Sequence, residues 1–260
     1  MPYEVHAVRY AMLRSSKAEL YYRHQSYGEP DAEAEMAYYF WLLRDGEETI
    51  VVDCGFDPEA GARRGRTCLC APLDALRALG VEPEAVSTVI VTHLHYDHIG
   101  NLAAFPAATL CVPARELDFW TGPMASRFQF ASIVEPAEIA FVVAAAAEGR
   151  VRTTSGTEEI CDGVTAITVG GHSPGQQVIA IQGEGGDIVL ASDAVHFSEE
   201  LELERPFAVV HDLERMYAAY DLLKGFARAG AVVVPGHNPD VAARYPLVAR
   251  TGGGDAVRIG

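Results

Sequence analysis

Four side chains between residues 93 and 98 belong to the types that bind transition metals. The stretch reads His93-Leu94-His95-Tyr96-Asp97-His98, which places three imidazoles and one carboxylate within six residues. Imidazole nitrogen and carboxylate oxygen are the usual ligands of zinc and of its neighbours among the first-row metals. A single histidine is most often an ordinary surface or core residue, but four such groups in one turn indicate a metal site.

Three later positions in the chain add residues of the same kind. His172 and His237 are each preceded by a glycine, and Asp193 follows an apolar run. Glycine is expected where the backbone turns tightly beside a ligand. Seven ligands are too many for one tetrahedral ion with an open position, whereas two ions that share a carboxylate can use all of them. The spacing therefore predicts a two-metal site of the hydrolytic kind.

Apolar runs with the length and composition of buried strands precede these ligands. A strand that ends in a ligand delivers it from a rigid element, and Asp53 also stands at such an end. The dipeptide Asp45-Gly46 predicts a hairpin between the second and third runs. The predicted strands are Tyr3–Leu13, Met36–Leu43, Thr49–Asp53, Val86–Thr92, Thr109–Val112, Val151–Thr153, Val164–Val169, Gln177–Gln182, Ile188–Ser192 and Ala231–Val234.

Helical patterns lie between these strands, and the longest begins after Asp212, a good N-cap residue. Residues 15–35 are polar and rich in tyrosine, which predicts a long loop that either caps a pocket or exchanges between the subunits of a homodimer. Because strands and helices alternate without a linker, we expect one α/β domain over residues 1–260. The predicted helices are Pro72–Leu79, Ile99–Phe105, Ala114–Trp120, Pro136–Ala147 and Leu213–Ala229.

Composition narrows the class of protein further. The 260 residues are 49% hydrophobic and 22% charged, as in an ordinary globular enzyme, and the net charge of −16 argues against nucleic acid as a partner. Arg63-Arg64-Gly65-Arg66 is the one basic cluster. No apolar run approaches the length of a membrane span, and the N-terminus lacks the features of a secretory signal. Together with five scattered cysteines, these features predict a cytoplasmic protein that acts on a small molecule.

The ligand pattern resembles that of a known family. The motif His-x-His-x-Asp-His, followed by His172, Asp193 and His237, resembles the metallo-β-lactamase superfamily of hydrolases. Most of the chain is similar to lactonases of the N-acyl homoserine lactonase type. The resemblance implies an αββα sandwich, in which two mixed β-sheets are flanked by helices. The wider similarity lies in Val52–Phe56, Thr92–Asn101, Phe105-Pro106, Glu116-Leu117, Phe119, Gly171–Gln176 and Pro235–Pro239.

The resemblance also implies how the ligands divide between two zinc ions, for which iron, cobalt or manganese are alternatives. One ion would take His93, His95 and His172, the other Asp97, His98 and His237, and Asp193 would bridge them. Asp53 would either orient a ligand histidine or be an ordinary carboxylate at a strand end. A hydroxide between the ions would attack a lactone carbonyl, and Asp97 would pass a proton to the departing alkoxide.

One position departs from the lactonase pattern. Three residues after the bridging aspartate, homoserine lactonases typically carry a tyrosine that points at the substrate carbonyl, and this chain has His196 there. Histidine can still donate a hydrogen bond to that oxygen, so we expect His196 to be catalytic while the preferred ring differs. Phe56 and Phe197 are the aromatic residues that we expect to contact substrate.

Other functions remain alternatives at this stage. The same ligands suit hydrolysis of another cyclic ester or amide, such as a pyridoxolactone-type ring, or of a thioester. A di-iron oxidoreductase of the same fold would carry a glutamate in place of His95, and a binding module without catalysis would be expected to have lost ligands. The sequence favours a dinuclear zinc hydrolase that opens a lactone.

Overall fold

Two β-sheets pack face to face in this computed structural model, which describes residues 2–46 and 48–260. The strands are β1 (Glu4–Ser16), β2 (Glu33–Arg44), β3 (Thr49–Val52), β4 (Thr67–Cys68), β5 (Thr88–Ile90), β6 (Thr109–Pro113), β7 (Val151–Thr154), β8 (Thr157–Cys161), β9 (Val164–Thr168), β10 (Gln177–Gly183), β11 (Gly186–Ser192), β12 (Val232–Pro235), β13 (Leu247–Thr251) and β14 (Gly254–Arg258).

Both sheets are mixed. The larger has the order β13-β14-β1-β2-β3-β5-β6-β7, with β4 paired to β1, and the smaller has the order β12-β11-β10-β9-β8. Strands β3, β5, β6 and β7 run parallel to one another, as do β11 and β12. Because parallel strands end at the same edge, the loops that follow β3 and β5 are brought together, and so are the loops that follow β11 and β12.

Strand β2 shows why the apolar runs of the sequence are continuous. Tyr39, Trp41 and Leu43 face the interior between the two sheets, where they pack with residues of the smaller sheet such as Leu190. The alternate residues, which include Phe40, belong to the second core beneath the helices. A strand that is buried on both faces needs apolar residues at every position, which removes the usual alternation.

Helices cover the outer face of each sheet. The helices are α1 (Lys17–Leu20), α2 (Pro58–Arg63), α3 (Pro72–Ala78), α4 (Tyr96–Ile99), α5 (Ala114–Trp120), α6 (Phe128–Ala131), α7 (Pro136–Ala147), α8 (Ser198–Leu203), α9 (Leu213–Arg228) and α10 (Asp240–Arg244). Helix α9 packs on β11 and β12, whereas α3, α5 and α7 contact strands of the larger sheet. The architecture confirms the predicted α/β sandwich of two mixed sheets flanked by helices.

Most predicted elements are present, and two predictions were wrong. The predicted helix over Ile99–Phe105 is instead α4, which ends at Ile99, followed by a short 3-10 turn at Leu102–Ala104. The predicted long loop over 15–35 instead contains the end of β1, α1, a 3-10 turn and the start of β2. The hairpin at Asp45-Gly46 is confirmed by the antiparallel pairing of β2 with β3, and Glu47 lies outside the described residues.

No helix in the described part of the chain combines the length and the apolar character needed to cross a membrane.

Candidate metal centre

Five histidines and two aspartates converge at the edge where the two sheets meet. His93, His95, Asp97 and His98 lie in the loop after β5 and in α4, and Asp193 and His237 follow β11 and β12. His172 lies in the loop between β9 and β10. All seven are at most 7% exposed, so the structure brings together every predicted ligand in a buried site.

The seven predicted ligands lie in overlapping groups around the Asp193 carboxylate. The ligand atoms of His93, His95 and His172 lie within 4.8 Å of one another, as do those of Asp97, His98 and His237. Asp193 lies between the groups: its Oδ2 is 3.3 Å from His172 Nε2, and its Oδ1 is 3.2 Å from His98 Nε2. Two further groups cross this division, one of His93, His98 and Asp193 and one of His172, Asp193 and His196, and the assignment of each side chain to an ion stays a prediction.

Backbone carbonyls fix the tautomers of two of these rings. Nδ1 of His172 donates to the Val209 carbonyl (3.0 Å), and Nδ1 of His237 donates to the Ala37 carbonyl (2.7 Å). In the neutral form of each ring Nε2 therefore carries a lone pair, which is the form that can bind a metal ion. His172 Nε2 lies 3.3 Å from Asp193 Oδ2 and 2.9 Å from His95 Nδ1, and His237 Nε2 lies 3.1 Å from Asp193 Oδ1.

Burial keeps the first group of imidazoles neutral. It lowers the pKa of His95 to about 4, and it lowers the pKa of both His93 and His172 well below the usual 6.5. Neutral imidazoles are the form that binds metal ions. Nε2 of His93 is also buried and, among the described residues, has no hydrogen-bond partner.

The second group carries more negative charge than the first group of three imidazoles. Burial lowers the pKa of His98, but the carboxylates of Asp193 and Asp53 outweigh it and hold that pKa well above 6.5. Burial opposes ionisation of Asp193, yet the surrounding histidines, His237 foremost, hold its pKa well below the usual range. The site thus combines nitrogen lone pairs with ionised carboxylates. Ring nitrogens that have no hydrogen-bond partner among the described residues, and that surround one carboxylate, are suited to bind two divalent cations. A set of ligands made mostly of imidazoles suits zinc.

Asp53 orients one of the ligand histidines, as the sequence resemblance implies. Its Oδ2 accepts from Nδ1 of His98 (2.7 Å) and from the Thr92 hydroxyl (2.7 Å), and its Oδ1 accepts from the Thr92 backbone N–H (2.8 Å). The residue adopts a φ of +58°, which is rare for a side chain other than glycine. These three bonds hold the backbone turn and keep Nε2 of His98 directed at the site.

Two glycines are required by close approaches of the backbone. A Cβ at Gly171, where φ is +98°, would lie 2.8 Å from the backbone of Met216. A Cβ at Gly236 would lie 2.6 Å from the backbone of Ser192. No other residue fits at these positions without displacing the loop that carries His172 or His237.

Glu116 is a supporting residue to which the sequence assigned no role. Its buried carboxylate accepts hydrogen bonds from the backbone N–H of Leu94 (3.0 Å) and of Gly175 (2.6 Å) and from the indole of Trp120 (2.8 Å). It therefore ties the loop of His93 and His95 to the loop of His172. A glutamate within a short helix gives no such signal in a single sequence, because the bonds join distant segments.

His196 lies beside the shared carboxylate and has no exposed surface. Its Nε2 is 3.1 Å from Asp193 Oδ2 and its Nδ1 is 3.3 Å from Glu200, but neither contact has the geometry of a hydrogen bond. The ring stacks on Phe207 at 3.7 Å between centroids. Burial opposes protonation, but the carboxylates of Asp193 and Glu200 raise the pKa of His196 to about 9. The role of His196 as a donor to substrate stays a prediction.

Glu200 is a second supporting residue that the sequence did not indicate. Its carboxylate is fully buried and accepts from the backbone N–H groups of His196 (2.7 Å) and Phe197 (2.9 Å) and from the Tyr220 hydroxyl (2.6 Å). It therefore holds the turn that follows Asp193.

Neither of the two phenylalanines expected to contact substrate lines the cavity of about 310 Å³ that opens beside the predicted ligands. Phe56 is fully buried and packs between Tyr10 and Tyr38, at centroid distances of 4.9 and 5.4 Å. Phe197 is 7% exposed and lies 5.8 Å from the ring of Tyr21. Their contact with substrate stays a prediction.

A cavity of about 310 Å³ opens beside both ligand groups. Its walls include four of the ligands and a set of apolar and polar side chains from the first two strands and from two loops. The ligands in its wall are His95, Asp97, His172 and Asp193. A small molecule in this cavity therefore reaches atoms of both groups.

The fold and the ligand set agree with a comparison to known families. The model of the metallo-beta-lactamase superfamily matches residues 36–237, and the chain belongs to this superfamily.

Among curated proteins, the chain is similar to the N-acyl homoserine lactonase AiiA of Bacillus thuringiensis subsp. kurstaki, with 28% identity over 137 residues. That match covers 52% of this chain and 49% of the relative, so the similarity spans about half the length of the relative.

Among solved structures, the fold is similar to an N-acyl homoserine lactone hydrolase with the product N-hexanoyl-L-homoserine bound at its catalytic metal centre. The TM-score is 0.76 at 22% identity, and the match covers 95% of this chain and 97% of the other. It is also similar to AidC, a dizinc quorum-quenching lactonase, with a TM-score of 0.72 at 19% identity and coverage of 90% and 87%. At these identities the similarity concerns the fold.

Proposed function

We propose that this protein is a hydrolase with two metal ions, most suitably zinc, that opens a lactone ring. The observation that carries the proposal is the convergence of two ligand groups on Asp193 at the wall of a small cavity. His93, His95 and His172 would hold one ion, and Asp97, His98 and His237 the other. Two bound divalent cations supply a hydroxide nucleophile near neutral pH and polarise an ester carbonyl.

The reaction needs a proton carrier on the side of the leaving alkoxide. Water adds across the ring ester: hydroxide joins the acyl carbon, the C–O bond of the ring breaks, and a proton goes to the alkoxide. Asp97 is suited to carry that proton because its carboxylate lines the cavity while its backbone is anchored by the Tyr10 hydroxyl (3.1 Å). Since the product is a carboxylate, each turnover releases one proton at neutral pH.

The supporting residues prepare the site before substrate arrives. Asp53 and Glu116 fix the loops that carry the ligands, and their bonds need no rearrangement during the reaction. We propose that His196 acts on the Asp193 carboxylate, from which its Nε2 lies 3.1 Å, or on the substrate carbonyl.

The lactone assignment is supported by relatives that are lactonases, and it competes with two other substrates of the same chemistry. Because His196 stands where homoserine lactonases typically carry a tyrosine, the first alternative substrate is a different cyclic ester or amide, of the pyridoxolactone type. A thioester is the second. All three would use the same nucleophile and differ only in the contacts of the cavity.

A pH-indicator screen of the zinc-loaded protein tests the proposal. The panel contains homoserine lactones, aliphatic and aromatic lactones, cyclic imides and thioesters. We expect acid release with at least one lactone, and its loss in a His98→Ala variant with unchanged circular dichroism. If the protein hydrolyses only thioesters, the lactonase assignment is replaced by that of a thioesterase. If the metal-loaded protein releases no acid from any ester, the result contradicts the assignment as a hydrolase.

A further inference from the structure

The one basic cluster of the sequence is divided between two tasks. Arg63 and Arg64 both form ion pairs with Glu135, at 3.2 and 2.9 Å. Arg66 instead lines the cavity beside the metal-ligand groups, together with Asp97. The guanidinium therefore belongs to the site rather than to the surface.

Arg66 retains unused hydrogen-bonding capacity. Its Nε donates to the Tyr96 hydroxyl (2.9 Å), and its Nη1 donates to the backbone carbonyl of Arg64. Across residues 2–46 and 48–260, no carboxylate lies within salt-bridge distance of it, unlike its neighbours Arg63 and Arg64. The guanidinium is half-buried and has no directly paired anion, since the Asp97 carboxylate acts on it only from beyond salt-bridge distance, and an anionic ligand would supply a direct partner.

Tyr38 adds a further hydroxyl to the same wall. The side chain lines the cavity and is 1% exposed, and its hydroxyl lies close to Tyr96 and Arg66 but forms no hydrogen bond of good geometry in the described part of the chain. Because a buried hydroxyl normally completes its hydrogen bonds, a ligand oxygen would improve those of Tyr38. Arg66, Tyr38 and Tyr96 thus form one polar wall, in which Nη2 of Arg66 donates to no described residue.

A second cavity adjoins the first. Its volume is about 200 Å³, its wall contains Trp120 and Phe130 beside polar residues such as Gln129, and it shares His95 and His172 with the first cavity. The two cavities are therefore lobes that meet at these histidines, one with the Arg66 wall and one with a mixed aromatic and polar wall. A substrate whose ester lies at the histidines presents one end to each lobe.

We propose that Arg66, with the hydroxyls of Tyr38 and Tyr96, binds a carboxylate on the substrate, so that the preferred substrates are small lactones bearing a carboxylate group. Arginine binds carboxylates through two parallel N–H donors, which gives both affinity and orientation. The inference rests on the proposed lactone hydrolysis and names the substrate class for it.

A pair of matched lactones tests the inference. The probes are γ-carboxy-γ-butyrolactone and its carboxamide, which share shape and scissile ester but differ in charge. We expect wild-type kcat/KM for the carboxylate to exceed that for the carboxamide about 10-fold or more. In Arg66→Gln this preference should disappear while the carboxamide rate stays within about 3-fold of wild type. Arg63→Gln is the matched control, because that arginine contacts Glu135 outside the cavity, and it should keep the preference.

Two results would overturn the inference. Equal wild-type kcat/KM for the two probes would show that the wall does not recognise the charge. An equal fall for both probes in Arg66→Gln would show that the arginine acts on the reaction or the fold rather than on a substrate carboxylate.

A binding measurement separates this inference from the proposed function. The ring-opened product, 2-hydroxyglutarate, and its C1 amide are titrated into zinc-loaded wild type and Arg66→Gln by calorimetry, which needs no turnover. We expect the dicarboxylate to bind about 10-fold more weakly to Arg66→Gln, with the amide unaffected. If neither lactone is hydrolysed but this difference is present, lactone hydrolysis fails and carboxylate recognition stands. Identical binding to both proteins would refute the recognition.

Discussion

Replacing Asp53 by asparagine should weaken one metal site and leave the other intact. The two carboxylate oxygens of Asp53 accept three hydrogen bonds, from His98 Nδ1, the Thr92 hydroxyl and the Thr92 backbone N–H, at 2.7 to 2.8 Å. Asparagine has the same shape but only one acceptor oxygen. Its amide group would face Nδ1 of His98 as a donor, which favours the tautomer with the proton on Nε2, the atom directed at the metal site.

The size of the effect follows from this loss of one oriented ligand. Removing a residue that orients a metal-bound histidine typically costs 10- to 100-fold in metal affinity, which is about 1.4 to 2.7 kcal/mol. In the described part of the chain, His93, His95 and His172 have no direct bond to Asp53. His93 is linked to it only through the Thr92 hydroxyl, which lies 3.2 Å from His93 Nδ1, so the affinity of this group should change less than that of the other.

Competition of the stripped protein with a zinc chelator measures both steps. Wild type should show two tight steps, and Asp53→Asn should show one unchanged step and one weakened about 10- to 100-fold. Asp57→Asn is a control, because that carboxylate caps α2 without touching a ligand. Equal weakening of both steps, or no weakening, would refute the assignment of Asp53 to the second group.

The remaining predictions concern other supporting residues. Glu116→Gln leaves a buried N–H without an acceptor and should lower the free energy of unfolding by about 1–3 kcal/mol in urea titrations, whereas Glu148→Gln at the exposed end of α7 should not. His196→Tyr should change the ratio of kcat/KM between homoserine lactones and simple aliphatic lactones if the side chain reaches the carbonyl; an unchanged ratio would limit its role to Asp193. Burial, followed by a neighbouring glutamate, raises the pKa of Glu138 from 4.5 to about 8, and its Oε2 has no hydrogen-bond partner among the described residues. Because the unfolded chain releases this proton at lower pH than the folded protein, stability should fall between about pH 4.5 and 8. Glu138→Gln should flatten that part of the curve, and parallel curves would contradict the assignment.

The strand ends and their ligands could be predicted from the sequence because the information is local. Val86–Thr92 reads as a buried strand, and β5 delivers His93 and His95 from its end. The long helix α9 begins after Asp212, whose carboxylate accepts from the Arg215 N–H as an N-cap does. Periodicity and capping act within a few residues, so one sequence is enough to recognise them.

The parts that escaped prediction depend on contacts between distant segments. Glu116 joins residues 94 and 175, and Glu200 joins the turn after Asp193 to Tyr220. Nothing near either glutamate in the chain indicates these partners. The helix expected at Ile99–Phe105 failed for a similar reason, since after α4 the chain bonds to the loop at residues 54–56: the Gly100 N–H donates to the Gly55 carbonyl (2.9 Å), and the Asn101 amide donates to the carbonyls of that loop.

Specificity was the least predictable feature. The sequence directs attention to His196, but in the structure its ring has no exposed surface, while Arg66, from the one basic cluster, lines the cavity. The path of the chain after α2 decides which of the three arginines faces the cavity. The residue types around the cluster are not enough to predict that path.

Metal content is the most direct test of the two-metal centre. The protein is stripped with a chelator, reloaded with excess zinc, separated from free metal by gel filtration and measured by inductively coupled plasma mass spectrometry. We predict about two zinc ions per chain for wild type and about one for His237→Ala, which removes a ligand from one group only. A wild-type ratio of one or less, in protein with an unchanged fold, would contradict the shared two-metal site around Asp193.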